Sequence, residues 1–371
     1  MTTEASSVTR AVLALVQESI HRSGGWLPFD RFMALALYAP GLGYYANQSR
    51  KFGQMPSSGS DFVTAPEMSP LFGRALAAQV ADALQATGTD EVWEFGAGSG
   101  ALALQLLQAL GAKVRRYTIV DLSGSLRARQ QAALAPFGAQ VTWASELPDT
   151  MRGVIVGNEV LDAMPVKLLA RLGGSWHERG VALADPTAAP GAATLAWQDR
   201  LTELRPPVDP HGDHDYVTEI HPQADAFVRT LGDRLERGAA FFIDYGFPQA
   251  EYYHPQRHMG TLMCHRGHLA DADPLADVGS KDITAHVNFT GIATAAQEAG
   301  LPVLGYTTQA RFLINCGIVP LLAASDMAGR VAGQRLLAEH EMGELFKVIA
   351  FQRGDFWDAL GFREGDRTHT L

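Results

Sequence analysis

An acidic residue followed by three glycines is the first group in this 371-residue chain whose types and spacing suggest chemistry. In VWEFGAGSGALALQLLQAL, residues 92–110, Glu94 comes two positions before Gly96, and Gly98 and Gly100 follow at alternate positions. A glycine turn between an apolar strand and an apolar helix lets the backbone approach a nucleotide-like ligand closely. The stretch therefore predicts a binding loop that several cofactors could use.

Three cofactor classes can be weighed at this loop. A nucleoside triphosphate is excluded because no Gly-Lys-Ser/Thr follows the turn. A dinucleotide remains open, since Gly96, Gly98 and Ala101 satisfy the G-x-G-x-x-A pattern. Glu94 favours S-adenosylmethionine over NAD, because a carboxylate repels a pyrophosphate but attracts a sulfonium and an ammonium.

Acidic residues also follow two later apolar runs, those in TIVDLS and VIVGNE. In TIVDLS the strand pattern ends at Asp121, where a carboxylate can accept hydrogen bonds from the ribose hydroxyls of either cofactor. VIVGNE ends at Asn158 and Glu159, and Asp162 follows three residues after Glu159. Two carboxylates at a strand end suit a cationic acceptor such as a planar guanidinium. We therefore predict that these last three residues hold the acceptor, with Glu159 orienting it.

Other polar residues give weaker signals. Histidines are grouped in two polar loops, but their spacing does not describe a supported zinc site, so no metal is predicted. Asp244 in FFIDYG is compatible with facing the pocket and equally with capping a turn. Trp143 is compatible with stacking on adenine, although packing is favoured.

The elements that must position these residues alternate between strand and helix from residue 91. EVWEF, YTIVDLS, QVTWA and GVIVGNE predict strands, with helices at 101–110 and 123–135, which indicates a parallel sheet with right-handed crossovers. FFIDYG predicts a fifth strand after a helix at about 221–237. Extended runs around Gly173 and Gly174 predict an antiparallel hairpin. Residues 41–70, 183–215 and 246–282 are predicted to be loops or insertions, and the last 50 or so residues helical.

The composition excludes several classes of protein. The net charge of −10 argues against wrapping nucleic acid on a basic surface. Two cysteines make a disulfide framework improbable and fit a reducing compartment. No apolar run approaches the roughly 18 residues of a membrane span, and the first residues do not resemble a signal peptide. A cytoplasmic protein without a membrane span is expected, and its oligomeric state stays open.

Seven stretches resemble, in order and with similar spacing, the MidA-type family of class I S-adenosylmethionine-dependent methyltransferases. They are GLGYYANQ, DFVTAPEMSPLFGR, EFGAGSGAL, GNEVLDAMPVKLL, FFIDYGFPQAEYY, GTLMCHRGH and DITAHVNF. The resemblance implies an α/β fold with a Rossmann-like class I methyltransferase sheet of seven strands, the last one antiparallel. We expect N-terminal helices and a lid at 1–85, the core at 86–170 and 237–371, and a hairpin-containing insertion at 171–236.

The resemblance also implies roles for individual residues. Glu94, Gly96, Gly98 and Gly100 would form the cofactor loop, and Asp121 would bind the ribose. Residues of the N-terminal motif would fold over the cofactor: Asp61, Thr64, Pro66 and Glu67. The acceptor residues would be Asn158, Glu159 and Asp162.

Three functions follow as hypotheses. The mitochondrial members of the family dimethylate an arginine of a complex I subunit and act in complex I assembly. The favoured hypothesis is therefore an S-adenosylmethionine-dependent methyltransferase that modifies an arginine of a protein, with a respiratory complex subunit as a candidate substrate and S-adenosylhomocysteine as product. The alternative is a non-catalytic assembly factor that keeps the cofactor pocket. An NAD-dependent oxidoreductase is third, and Glu94 counts against it.

Overall fold

The computed structural model describes residues 3–47, 63–121 and 124–371. The helices in these ranges are α1 (Thr3–Arg22), α2 (Phe29–Tyr38), α3 (Ala65–Met68), α4 (Pro70–Thr87), α5 (Ala101–Leu110), α6 (Gly124–Leu134), α7 (Pro222–Arg234), α8 (Gln249–Tyr252), α9 (Phe289–Glu298), α10 (Gln309–Asn315), α11 (Ile318–Ala323) and α12 (Met327–Leu337). The strands are β1 (Leu27–Pro28), β2 (Glu91–Phe95), β3 (Arg116–Val120), β4 (Val141–Ala144), β5 (Met151–Asn158), β6 (Lys167–Leu172), β7 (Ser175–Leu183), β8 (Leu195–Leu201), β9 (Tyr216–Ile220), β10 (Leu235–Phe247), β11 (Met263–Arg266), β12 (Leu269–Asp271), β13 (Asp282–Thr284), β14 (Val287–Asn288), β15 (Val303–Thr308) and β16 (Phe346–Arg353).

The main sheet is a mixed α/β sheet with the order β15–β16–β10–β5–β2–β3–β4, and the short β14 pairs with β10. From β4 to β10 neighbouring strands run parallel. β16 runs antiparallel to both of its neighbours. The last strand of the chain is therefore antiparallel, as the resemblance implies. With β14, the sheet has eight strands within the described residues, one more than expected.

The prediction that the last 50 or so residues are helical is wrong at β16. The helices α10, α11 and α12 come first, but Phe346–Arg353 then forms a strand between β10 and β15. All six inner residues of this strand are buried. A short run that is buried on both faces lacks the alternation of a half-exposed strand, so periodicity alone does not separate it from a helix.

Helices cover both faces of the main sheet, which explains why most residues of its central strands are buried. On one face α4 and α5 pack through fully buried residues such as Leu76 and Val80. On the other face α7 and α9 pack through residues such as Val228 and Ile292. Every residue of β2 is buried, as expected for a central strand enclosed by helices. This packing brings the carboxyl ends of β2, β3 and β5 to one edge.

A second sheet contains β1, β7, β6 and β9, with β8 paired to β7. The predicted hairpin is confirmed, because β6 and β7 pair antiparallel across a turn at Gly173 and Gly174, whose φ angles are 54° and 80°. β1 pairs Leu27 with Val181, so the N-terminal segment joins this sheet. The domain limits 1–85, 86–170 with 237–371, and 171–236 stay predictions.

A third, small sheet has the order β12–β11–β13. β11 and β12 lie in the region 246–282 that is predicted to be loop, and β13 begins at the last residue of that region. Its strands are three or four residues long. Strands this short, set among polar residues, show too few alternations for a pattern to be recognised. This sheet brings residues of the predicted loop region, and the first residues of DITAHVNF, next to the main sheet.

The N-terminal helices α1 and α2 pack against the second sheet. Val12, Val16 and Phe32 are fully buried in a cluster that also contains Leu168 and Val181. This packing also holds the C-terminal end of α2, at Tyr38, in position. Among the helices of the described ranges, none is both long enough and apolar enough to cross a membrane.

Candidate active site

A cavity of about 1010 Å³ opens at the carboxyl ends of the central strands. Residues that directly follow β2, β3 and β5 line it, together with Tyr245 near the end of β10. The third sheet, α7 and the N-terminal segment supply other parts of its wall. Since open α/β sheets bind ligands at this edge, the cavity is the candidate active site.

The glycine loop forms one part of the cavity. Gly96 and Gly98 line it with φ angles of 65° and 53°, in the left-handed region that favours glycine. A Cβ at Gly96 would stand 2.9 Å from Cγ2 of Val160, so the loop lies against the turn after β5. Gly100 has a φ of 86°, and a Cβ there would be 3.4 Å from Cα of Gln130. The loop therefore exposes backbone to the cavity at Gly96 and Gly98, whereas Gly100 packs towards α6.

Glu94 lines the cavity at the end of β2, and only 2% of it is exposed. The hydroxyl of Tyr117 donates a 2.7 Å hydrogen bond to its Oε2. Burial raises the pKa of Glu94 to about 8, although the bond from Tyr117 lowers it, and the charge of Asp121 raises it further. A nearby cation would favour the ionised form of this carboxyl. This corner of the cavity therefore favours a positively charged ligand.

A glutamine that the sequence did not indicate connects Asp121 to the glycine loop. Nε2 of Gln130, in α6, donates to the carbonyl of Gly98 at 3.0 Å and to Oδ2 of Asp121 at 2.8 Å. Its Oε1 accepts a 3.0 Å hydrogen bond from Nε1 of Trp143. Trp143 does not belong to the described lining of the cavity, so it packs, as favoured from the sequence. No local motif marks Gln130, because its partners come from three separate segments.

The N-terminal motif contributes α3 and the residue before it to the cavity wall. Its lining residues include Thr64, Pro66 and Glu67. The Ser99 hydroxyl of the glycine loop donates to the Glu67 carboxylate. Nε2 of Gln105, in α5, donates to the carbonyl of Pro66 at 2.8 Å. Asp61, the fourth residue predicted here, lies outside the described residues.

Glu159 follows β5 with a φ of 53°, a left-handed conformation that is uncommon for a residue with a Cβ. Its backbone nitrogen donates to the carbonyl of Ile243 at 2.9 Å. Nδ2 of Asn158 donates to Oε1 of Glu159 at 2.9 Å. Burial, and then the charge of Asp162, raises the pKa of Glu159 to about 8, so this carboxyl binds a proton near neutral pH.

Asn158 and Asp162 each hold an acceptor oxygen that lacks a partner. Oδ1 of Asn158 and Oδ1 of Asp162 are buried and accept no hydrogen bond from any described residue. Burial raises the pKa of Asp162 to about 6, and a hydrogen bond from Tyr245 opposes that rise. An unsatisfied buried polar group costs about 1–3 kcal/mol, so a ligand with N–H donors would be stabilised here. The structure thus brings the three predicted acceptor residues together.

Asp244 caps the turn that carries these residues. Its Oδ2 accepts from the backbone nitrogens of Val160 at 3.1 Å, Leu161 at 2.9 Å and Asp162 at 3.3 Å. It is not among the described residues that line the cavity. Of the two sequence interpretations, the cap is the one that the structure supports.

Residues from the N-terminal segment and from the third sheet complete the predicted acceptor side of the cavity, and their types and spacing did not indicate them. Tyr38 and Tyr45 line the cavity, and the Tyr45 hydroxyl donates to Oδ1 of Asp282 at 2.8 Å. Tyr45 and Asp282 are 237 positions apart in the chain. The available signal was their location in GLGYYANQ and DITAHVNF, two of the stretches that resemble the family.

The lining is acidic. Its carboxylates are Glu67, Glu94, Asp121, Glu159, Asp162 and Asp282. Neither lysine nor arginine occurs among the described residues of the lining. A cleft with one sign of charge attracts ligands of the opposite sign, so this one suits cations and opposes a pyrophosphate.

Two histidines, His265 of β11 and His286, line the cavity. Burial lowers the pKa of His265 and brings that of His286 to about 4, so both rings favour the neutral form. Within the described part of the chain, no group of three or more His, Cys, Asp or Glu residues is arranged to hold a metal ion.

Comparisons with known families and solved structures point to one chemistry. A family model described as "Putative S-adenosyl-L-methionine-dependent methyltransferase" matches residues 75–307. A structure described as a "likely methyl transferase from Burkholderia thailandensis bound to S-adenosyl-homocysteine" is 49% identical, covers 100% of this chain and 99% of its own, and has a TM-score of 0.94. A native structure of an uncharacterized protein from the same organism is 48% identical with the same coverage and a TM-score of 0.89.

Curated relatives are more distant but similar along most of their length. The protein named "Protein arginine methyltransferase NDUFAF7, mitochondrial" from Danio rerio is 26% identical over 386 residues, which span 93% of this chain and 87% of the relative. Its namesake from Mus musculus is 28% identical over 373 residues, 89% of this chain and 81% of the relative.

Proposed function

This chain belongs to the family of S-adenosylmethionine-dependent methyltransferases, and we propose that it methylates an arginine side chain of a protein. The resemblance to the MidA-type family is confirmed. S-adenosylmethionine is its cofactor. The identity of the methyl acceptor is the part that we propose.

The residues around the glycine loop fit this cofactor. The backbone at Gly96 and Gly98 is open to the cavity, and Glu94 and Asp121 offer carboxylates to an ammonium group and to ribose hydroxyls. Because the described lining offers no lysine or arginine to a pyrophosphate, it counts against an NAD-dependent oxidoreductase. The bound cofactor supplies a methyl group that is already activated on a sulfonium. The protein must therefore align a nucleophile with it.

The observation that carries the arginine proposal is the placement of Asn158, Glu159 and Asp162 in an acidic cavity. A guanidinium is planar, always charged at neutral pH, and has five N–H donors in a fixed arrangement. Two carboxylates and an amide oxygen, of which two oxygen atoms lack partners among described residues, can accept those donors. The names of the distant relatives, protein arginine methyltransferases, support the same acceptor.

In this proposal the acidic residues orient the acceptor and receive its proton. Glu159 and Asp162 hold the guanidinium and draw positive charge away from the attacking nitrogen. That nitrogen gains the methyl group, the electron pair of the broken carbon–sulfur bond stays on sulfur, and a proton leaves the nitrogen. The pKa of Asp162 is about 6 and that of Glu159 about 8, so either carboxylate, once ionised, can accept this proton near neutral pH.

Tritiated S-adenosylmethionine, the purified protein and a lysate from a strain that lacks the gene provide the test. We expect a labelled protein that releases methylated arginine on acid hydrolysis. Label on another amino acid would contradict the proposal. No label, together with normal binding of S-adenosylhomocysteine, would favour the non-catalytic assembly factor instead.

Glu159→Gln tests the residue assigned to orientation. We expect the labelling rate to fall about 100-fold while affinity for S-adenosylhomocysteine is unchanged, because the amide keeps the shape but loses the charge and the proton-accepting oxygen. Glu236→Gln is the matched control, since Glu236 is exposed near the start of β10. Near-normal labelling by Glu159→Gln would remove the assignment.

A further inference from the structure

Asp282 belongs to the third sheet but lies at the acceptor side of the cavity. It begins β13, is 3% exposed and lines the cavity. The neighbouring Lys281 does not belong to the described lining. Its Nζ donates instead to both carboxylate oxygens of Asp271, at 2.9 and 3.0 Å, and to the carbonyl of Asp273 at 2.8 Å. The nearest lysine along the chain is thus engaged elsewhere.

Two stacked tyrosines from the N-terminal segment connect Asp282 with the turn after β5. The Tyr45 hydroxyl donates to Oδ1 of Asp282 at 2.8 Å, and the Tyr38 hydroxyl donates to the carbonyl of Ala163 at 2.8 Å. The two rings stack with centroids 5.5 Å apart and planes inclined by 22°. Since Ala163 directly follows Asp162, the tyrosine pair spans the distance between the two carboxylates.

The charge of Asp282 acts on both the tyrosines and the acceptor residues. Burial and then the negative charge of Asp282 raise the pKa of Tyr38 and of Tyr45. The same charge contributes to the raised pKa of Glu159, after burial and the charge of Asp162. Asp282 and Asp162 are therefore each close enough to Glu159 for their charges to oppose its ionisation. Such a group is stabilised when a cation enters.

A second, independent feature indicates which kind of ligand enters. Oδ1 of Asp162 and Oδ1 of Asn158 are buried without a partner among described residues, and these residues are 4% and 9% exposed. Both residues line the same cavity as Asp282. A cation that also carries several N–H donors satisfies the repelling carboxylates and the unpartnered oxygens together. A flat cation can in addition pack against the aromatic rings.

We propose that Asp282, held by Tyr45, is a specificity-determining carboxylate of the acceptor site, and that it binds the guanidinium side chain together with Tyr38 and Tyr45. This inference rests on the proposed function, because it assigns a further residue to the same acceptor. It makes the third sheet and the N-terminal segment, rather than the main sheet alone, responsible for selecting the substrate.

Binding of Nα-acetyl-arginine amide to the full-length protein saturated with S-adenosylhomocysteine tests this assignment. Nα-acetyl-citrulline amide, which has nearly the same shape but no charge, is the comparison compound, and ligand-observed NMR titration gives both dissociation constants. We expect the wild-type protein to prefer the arginine compound. Asp282→Asn should weaken binding of the arginine compound about tenfold and leave that of the citrulline compound unchanged.

Three variants separate recognition from folding. Asp282→Glu keeps the charge and should recover part of the preference for the arginine compound. Tyr45→Phe keeps the carboxylate but removes its hydrogen bond, so an intermediate loss is expected. Asp277→Asn is the matched control, because Asp277 pairs with Arg266 and does not belong to the described lining. All variants should bind S-adenosylhomocysteine like the wild type.

The possible outcomes are distinguishable from a failure of the proposed function. Equal binding of the arginine compound by wild type and Asp282→Asn overturns the role of Asp282, even if the lysate experiment yields methylated arginine. A wild-type protein without preference for the arginine compound does the same. If the lysate yields no methylated arginine but Asp282→Asn lowers the preference, guanidinium recognition stands and the proposed reaction fails.

Discussion

Gln130 links Asp121 to the glycine loop, two positions that we propose bind the cofactor and that appear separate in the sequence. Its side chain is fully buried and bonds to Gly98, Asp121 and Trp143 at once. The carboxylate of Asp121 is therefore held in one orientation relative to the glycine loop. We infer that Gln130 positions Asp121 for the ribose rather than touching the cofactor itself.

Gln130→Met keeps a similar volume and removes all three hydrogen bonds. We expect affinity for S-adenosylhomocysteine to fall about tenfold, because Asp121 is no longer held in position to bind the ribose. A tenfold change corresponds to the free energy of roughly one hydrogen bond. Isothermal titration calorimetry measures this change, and circular dichroism checks that the fold is kept. Gln131→Met, at the exposed neighbouring position of α6, should bind normally. Unchanged affinity in Gln130→Met would show that Asp121 is oriented by other contacts.

The protonation of Glu159 predicts how stability depends on pH. Burial raises the pKa of Glu94 and of Glu159 to about 8, whereas a glutamate in an unfolded chain has a pKa of about 4.3. Between these values the folded protein binds more protons than the unfolded chain, so the free energy of unfolding falls as pH rises from about 5 to about 8.

Urea unfolding of the ligand-free protein at several pH values measures this dependence. Glu159→Gln removes one of these two carboxyl groups. We expect the free energy of unfolding to fall less steeply with pH, by a slope that corresponds to about one bound proton. Glu236→Gln changes an exposed glutamate and should keep the wild-type slope. The same slope in Glu159→Gln as in the wild type would mean that Glu159 is ionised throughout this range.

The turn after β5 is the element that carries the three residues that we propose bind the acceptor. Glu159 takes a left-handed conformation at its start, and Asp244 accepts three successive backbone nitrogens of its later residues. Backbone strain of this kind persists only where surrounding contacts hold it. Asp244 thus acts on the acceptor residues through the backbone and not through the ligand.

Asp244→Ala leaves three amide groups without their shared acceptor. We expect the free energy of unfolding to fall by about 3 kcal/mol, and labelling of the substrate to fall more than affinity for S-adenosylhomocysteine, because the acceptor turn loosens first. Urea unfolding measures the free energy of unfolding, calorimetry measures affinity for S-adenosylhomocysteine, and transfer of tritium measures labelling of the substrate. Asp233→Ala, at an exposed position near the end of α7, is the control. A variant with normal stability would contradict the capping role.

On the scale of the whole molecule, the C-terminal end of β16 connects several elements at the edge opposite the cavity, whereas its first residue, Phe346, lines the cavity. Arg353 at the end of β16 donates to the carbonyls of Leu235 at 3.0 Å, Gly300 at 2.7 Å and Ala299 at 3.2 Å, and also to that of Gly232. One side chain therefore joins the end of α7, the start of β10 and the connection from α9 to β15.

Arg353→Met should lower the free energy of unfolding by about 3 kcal/mol, because four carbonyls, three of them in partly buried hydrogen bonds, lose their charged donor. Affinity for S-adenosylhomocysteine in the folded protein should stay normal, since Arg353 pairs near the start of β10 whereas Tyr245, near its end, lines the cavity. Urea unfolding and calorimetry measure both. Arg363→Met changes an exposed arginine and should unfold like the wild type. A large loss of cofactor affinity would contradict the expectation that Arg353 contributes to stability without affecting the cofactor site.

Predictions from the sequence were most accurate where local pattern decides the structure. The helix predicted at 101–110 is α5, Ala101–Leu110, because a glycine loop precedes it and a glycine follows it. The hairpin was also predicted from a local pattern, two extended runs on either side of Gly173 and Gly174. β16 was missed because its inner residues are buried on both faces, and the third sheet was missed because its strands are only three or four residues long.

The amino-acid sequence by itself determined the chemistry that this protein offers: an acid beside three glycines, a second acid after the next strand, and a polar turn after β5. These features depend on residue type and short spacing, which a single chain displays directly. Only the tertiary structure decided which further side chains share the cavity. Gln130, Asp282 and the two stacked tyrosines reach their partners through contacts between distant segments, and such contacts exist only after the sheets and helices have packed.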